Sequence, residues 1–130
     1  MIYKNKLILE SGEMRKILLM LFIMIAVPSF SYYNYYGAIA INQSTGASGY
    51  SYNYSDESSA INTALNQCGY NCIATVSFAN TCASVAWSPS TGAYGWYSSR
   101  DRYLNNRLSK SYCGYSDCYV IADVCTSWYE

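Results

Sequence analysis

The chain has 130 residues and no histidine. That absence removes Ser–His and Cys–His nucleophile pairs, and every His-bearing metal site. Six cysteines remain as reactive groups: Cys68, Cys72, Cys82, Cys113, Cys118 and Cys125. Their spacing allows two chemistries. Cys68-x3-Cys72 and Cys113-x4-Cys118 could chelate a metal as thiolates, or the even count could form a disulfide framework. Carboxylates are the other candidates. Asp117 and Asp123 flank one predicted strand, but six residues of strand separate them by roughly 20 Å, which argues against a carboxylate-dependent hydrolase. Asp56 and Glu57 read as a helix start. Ser44-Thr45-Gly46-Ala47 resembles a phosphate loop only in composition, because neither a helix nor a Lys follows it. No catalytic residue, metal or cofactor is expected.

The aromatic residues point to binding instead. Fifteen of the sixteen tyrosines follow residue 31. Tyr50, Tyr52 and Tyr54 alternate, which predicts one shared strand face, and Tyr94 and Trp96 occupy a matching stretch. Such rows supply contact area with a polar tip and suit a protein, a peptide or a cell-wall glycan. They equally suit cross-strand packing. A second candidate is basic. Arg100, Tyr103, Arg107 and Lys110 fall on one helical arc that could meet an anionic partner, or simply face solvent.

The elements that must carry these residues come from an internal repeat. Ser44-Thr45-Gly46-Ala47-Ser48-Gly49-Tyr50 matches Ser90-Thr91-Gly92-Ala93-Tyr94-Gly95-Trp96. Cys68-Gly69-Tyr70-Asn71-Cys72 matches Cys113-Gly114-Tyr115-Ser116-Asp117-Cys118. Each half, about 36–81 and 82–128, reads as strand, turn, strand, helix, strand. The predicted class is α+β, with two tandem ββαβ repeats forming mostly antiparallel sheet under two packed helices. Ser55 and Ser99 are the expected N-caps, and Gly69 and Gly114 the helix ends. The predicted buried stripes are Ala60, Ile61, Ala64, Leu65 and Cys68 in the first helix, and Leu104, Leu108 and Tyr112 in the second. Because each helix returns along its sheet, Cys68–Cys72 and Cys113–Cys118 suit local bridges. Cys82 and Cys125 would then pair across the pseudo-symmetry. Six cysteines allow 15 connectivities, so other patterns stay open.

The start of the chain reads as an export signal. Arg15 and Lys16 precede an apolar run from Ile17 to Val27, and Ser29-Phe30-Ser31 offers small residues to a peptidase. The run is too short to span a bilayer. Residues 14–31 are therefore the expected signal peptide, cut before Tyr32, and 1–13 a possible non-native extension. Tyr32, Tyr33, Tyr35 and Tyr36 would begin the mature domain as an arm or edge strand. In the mature chain 32–130, four bases against six acids leave a net charge of −2. Bulk charge gives no reason to expect nucleic acid. The expected location is periplasmic or secreted, where oxidation favours disulfides, with no membrane span after cleavage.

Gly37-Ala38-Ile39-Ala40, Gly46 and Gly49, the Ala60–Ala64–Leu65–Cys68 helix, Cys72 and Cys82 together resemble a bacterial family of exported domains known as domain of unknown function 4189. The likeness runs from about Tyr36 to Trp128. The second helix departs from it, with Arg, Tyr and Asn in place of an Ala-rich stripe. The resemblance implies export, cysteine pairing and the repeat, and implies no catalytic residue. The sequence therefore points to an exported, non-catalytic interaction module, such as a protein inhibitor or immunity-type factor, or a glycan-binding domain. Intact mass of the exported protein should show a start at Tyr32 and a loss of six hydrogens relative to the reduced form. An uncleaved chain with free thiols would reopen the metal reading.

Overall fold

The computed structural model describes residues 33–128; the expected signal peptide and the extension before it lie outside the described residues. The first repeat contains β1 (Tyr36–Ile41), β2 (Ser48–Tyr54), α1 (Glu57–Cys68) and β3 (Ile73–Ala79). The second contains β4 (Cys82–Trp87), β5 (Tyr94–Ser99), α2 (Arg102–Cys113) and β6 (Tyr119–Cys125). Each repeat forms one three-stranded antiparallel sheet, in the orders β2-β1-β3 and β5-β4-β6. The expected α+β class and ββαβ repeats are what the structure shows. Tyr36 opens β1, a central strand and not a sheet edge; Tyr33 and Tyr35 precede it, and Tyr32 lies outside the described residues.

The central strands explain the layering. β1 and β4 are apolar at successive positions because both their faces are covered. Ile39, Ile41, Val76 and Phe78 meet Ala83, Val85, Trp87, Ala122 and Val124 in one core between the two sheets. Ala38 and Ala40 point the opposite way, onto Ala60 and Ala64 of α1. The order of layers is helix, sheet, sheet, helix.

The two hairpin turns are near copies. Asn42 N–H donates to the Ala47 carbonyl and Ser88 N–H to that of Ala93, each at 2.8 Å. Gly46 and Gly92 take left-handed φ values of 78° and 76°. The Trp87 indole joins the turns by donating to the Gln43 carbonyl at 2.9 Å. Its ring lies where a Cβ on Gly46 would come to 2.6 Å.

The helix starts correct the sequence reading. Asp56 and Asp101 are the N-caps, each carboxylate accepting from a backbone N–H three residues on, at Ser59 and Leu104. Ser99 still lies in β5, so it cannot also cap α2. Gly69 and Gly114 follow the helices as expected.

The buried stripe of α2 is a larger correction. It consists of Asn105, Ser109 and Cys113, with Leu104 and Leu108 half-buried and Tyr112 64 % exposed. The cause is close helix–strand approach. A Cβ on Gly49 would collide with the Ala64 carbonyl, and one on Gly95 with the Ser109 carbonyl and Cys113 amide. At that separation the contacting helix face must be small. Asn105 fits because Ser99 satisfies it, accepting from its amide at 2.8 Å and donating back through the hydroxyl.

The bridges are Cys68–Cys72, Cys113–Cys118 and Cys82–Cys125. The third does not cross between repeats. Cys82 and Cys125 face each other on β4 and β6 of the second sheet, and the matching pair in the first sheet is Tyr36 and Ala79. This bridge closes a separation of 43 residues, against 4 for Cys68–Cys72. Loop entropy makes it worth about 4 kcal/mol against about 2 kcal/mol. Chemical denaturation of the Cys82→Ala/Cys125→Ala variant should therefore show about twice the loss of the Cys68→Ala/Cys72→Ala variant. Equal losses would contradict this assignment of loop sizes.

Candidate aromatic binding site on the β5 edge

The expected tyrosine row divides. Tyr50 and Tyr52 share a face, with ring centroids 6.4 Å apart and planes 14° apart. Tyr54 leaves that face because Asn53 takes φ 60° where the β1–β2 register shifts. Its ring joins Tyr36 in the packing against α1. The two aromatic pairs are also separated. β2 lies against β6, and β5 lies against β3, so Tyr50–Tyr52 and Tyr94–Trp96 occupy opposite edges of the sandwich. Tyr50 and Tyr52 line a cleft with Ile121–Cys125 of β6.

The other edge holds the larger cavity, about 630 Å³, lined by Tyr94, Gly95, Trp96, Tyr97, Ser98 and Tyr112. Strand alternation puts Trp96 on the sheet–sheet side of β5 and Tyr97 on the helix side. Tyr94 is half-buried against the core, while Trp96 is 45 % exposed. Tyr97 stacks on Tyr112 of α2, with centroids 6.2 Å and planes 17° apart. Neither Tyr97 nor Tyr112 was an expected binding residue. The repeat alignment carries the signal that could have found them, since Tyr97 matches Ser51 and Tyr112 matches Gln67.

The basic arc also divides. Arg100 precedes α2, donates to the Asn80 carbonyl at 3.2 Å, and sits 5.1 Å above the Trp128 ring. Tyr103, Arg107 and Lys110 do share one exposed stripe of α2. Arg102, outside the expected arc, pairs with Asp123 at 3.1 Å. Asp123 also accepts from the Asn106 side-chain amide, whose Oδ1 accepts from the buried Ser84 hydroxyl. Among the described residues, no group of three or more Cys, Asp or Glu could hold a metal.

Asp117 is tied to a turn. Its carboxylate accepts from the Ser88 hydroxyl at 2.7 Å and the Ser90 amide at 3.0 Å. The second cysteine loop is one residue longer than the first, which leaves room for this reach. Hydrogen bonds from Ser90 and Ser88 hold the Asp117 carboxyl below the ordinary value of 3.8. A lowered native pKa stabilises the fold above the unfolded value and is lost as pH falls through the native one. An NMR titration should place the Asp117 midpoint below 3.8. The stability deficit of Asp117→Asn should be present at neutral pH and vanish in acid. A midpoint at or above the ordinary value would contradict the turn contacts.

No helix among the described residues is long and apolar enough to cross a membrane. No curated protein and no solved structure matches the chain. A family model described as a domain of unknown function, DUF4189, matches residues 36–125, which takes in every strand and helix of both repeats. The chain belongs to the DUF4189 family.

Proposed function

We propose that this protein is a non-catalytic binding module of an oxidising compartment, periplasmic or extracellular, acting on a protein partner as an inhibitor or immunity-type factor does. The observation that carries the reading is the β5-edge cavity, where Trp96 and the Tyr97–Tyr112 stack are held out by rigid elements. Large aromatic side chains with few rotatable bonds give contact area at low entropic cost, which is why they anchor interfaces. Three disulfides hold the scaffold, which suits export. The carboxylates that a hydrolase would use are engaged elsewhere, Asp117 by the β4–β5 turn and Asp123 by Arg102.

The immobilised protein should retain a specific protein from the exported fraction of its source. The folded Trp96→Ala/Tyr112→Ala variant should lose that retention, and purified cell wall should retain neither. Retention on cell wall that depends on Trp96 would replace this reading with glycan binding. Retention unchanged in the variant would remove the cavity from the function.

A further inference from the structure

The internal repeat supplies a control for the β5 edge, because β2 is its counterpart in the first sheet and both are edge strands. Alternation from the bonded pairs at the hairpin turns turns the N–H groups of Tyr50 and Trp96 outward, away from β1 and β4. In the first repeat that outward group is closed off. The Tyr50 amide donates to the Gln67 side chain of α1. In the second repeat the residue matching Gln67 is Tyr112. A phenol ring there stacks on Tyr97 and offers the strand no amide oxygen.

The change extends along the helix. Ser59, Thr63 and Gln67 of α1 become Leu104, Leu108 and Tyr112 in α2. Helical spacing puts these three on one flank, the flank whose Tyr112 lines the cavity beside β5. The edge that the first repeat caps with a polar side chain is, in the second, bordered by an apolar flank.

We propose that the β5 edge is a strand-addition site, which takes an extended segment of a partner polypeptide as a fourth strand of the second sheet. The inference rests on the binding-module reading and specifies its ligand. An added strand would pair its backbone with Trp96 and Ser98. It would send alternate side chains to Trp96 on one face and to Tyr97–Tyr112 on the other, which is how edge pairing gains both affinity and selectivity. The cavity lies on both faces of β5, as such a strand requires. No charged or amide side chain lines it, so the backbone groups of β5 and the aromatic faces are what it offers most to a ligand. α2 lies over both β5 and β4, which leaves the outer edge of β5 open to an added segment.

Random peptides of about seven residues, a common strand length, would be selected on the purified disulfide-bonded protein. Bound peptides should show alternating apolar positions and slow the hydrogen exchange of the Trp96 amide. N-methylation should abolish binding at the alternate residues that face β5 and leave it intact at the others. Tyr112→Gln, which installs the first repeat's cap at an exposed position, should weaken binding about tenfold or more. The reciprocal Gln67→Ala should speed exchange of the Tyr50 amide in the free protein. The proposal falls if no peptide is enriched over selection on Tyr112→Gln, if N-methylation is indifferent to register, or if the free Trp96 amide is already as protected as that of Tyr50. Binding of chitin oligosaccharide at Trp96 in place of peptide would overturn strand addition while leaving the binding-module reading standing. A concentration-dependent dimer that protects Trp96 would replace the partner segment with a second copy.

Discussion

The molecule depends on one contact, the apolar seam between its two sheets. A sheet that is apolar on one face must bury that face against another layer. Here each sheet covers the other through Ile39, Ile41, Val76, Val85, Trp87 and their neighbours. Each fully buried Ile or Val contributes about 1.5–3 kcal/mol. With the inner faces committed to the seam, the outer faces still need cover, and one helix per sheet provides it.

That second requirement explains the glycines and the small helix faces. Gly49 and Gly95 let each helix backbone settle onto a strand, and the helix must then present Ala, Ser or Asn at the contact. In α1 this is done with Ala60 and Ala64. In α2 it is done with Asn105 and Ser109, whose polar atoms have partners in Ser99 and the Asn106 carbonyl. Choosing polar side chains for the contact frees the larger apolar ones. Leu104, Leu108 and Tyr112 move to the flank, and the β5 edge acquires its aromatic wall as a consequence.

The same duplication that builds the fold therefore makes its two ends unlike. One copy closes its edge strand with Gln67 and packs Tyr36 and Tyr54 under α1. The other carries a bridge between β4 and β6, an Asp117 that grips the hairpin turn, and an uncapped strand beside Trp96 and Tyr112. Any function carried by the second copy alone was not open to inference from features that both copies share.

Much of the fold was legible in the residues. The paired Ser-Thr-Gly-Ala turns, the alternating strands, the helix ends at Gly69 and Gly114 and the spacing of six cysteines determined two ββαβ units and their local bridges. These are short-range matters of φ preference, periodicity and loop length. The sequence determined less about the site. Periodicity defines the faces of an element but not what lies against each face, so Leu104, Leu108 and Tyr112 looked like the core stripe of α2. The alternation of Tyr50, Tyr52 and Tyr54 could not show that Asn53 breaks it. Nor could matching segments show that β2 and β5 lie at opposite edges. Those outcomes were set by the tertiary structure, through the strand order of each sheet, the stacking of β2 on β6 and β5 on β3, and the close approach of α2 at Gly95.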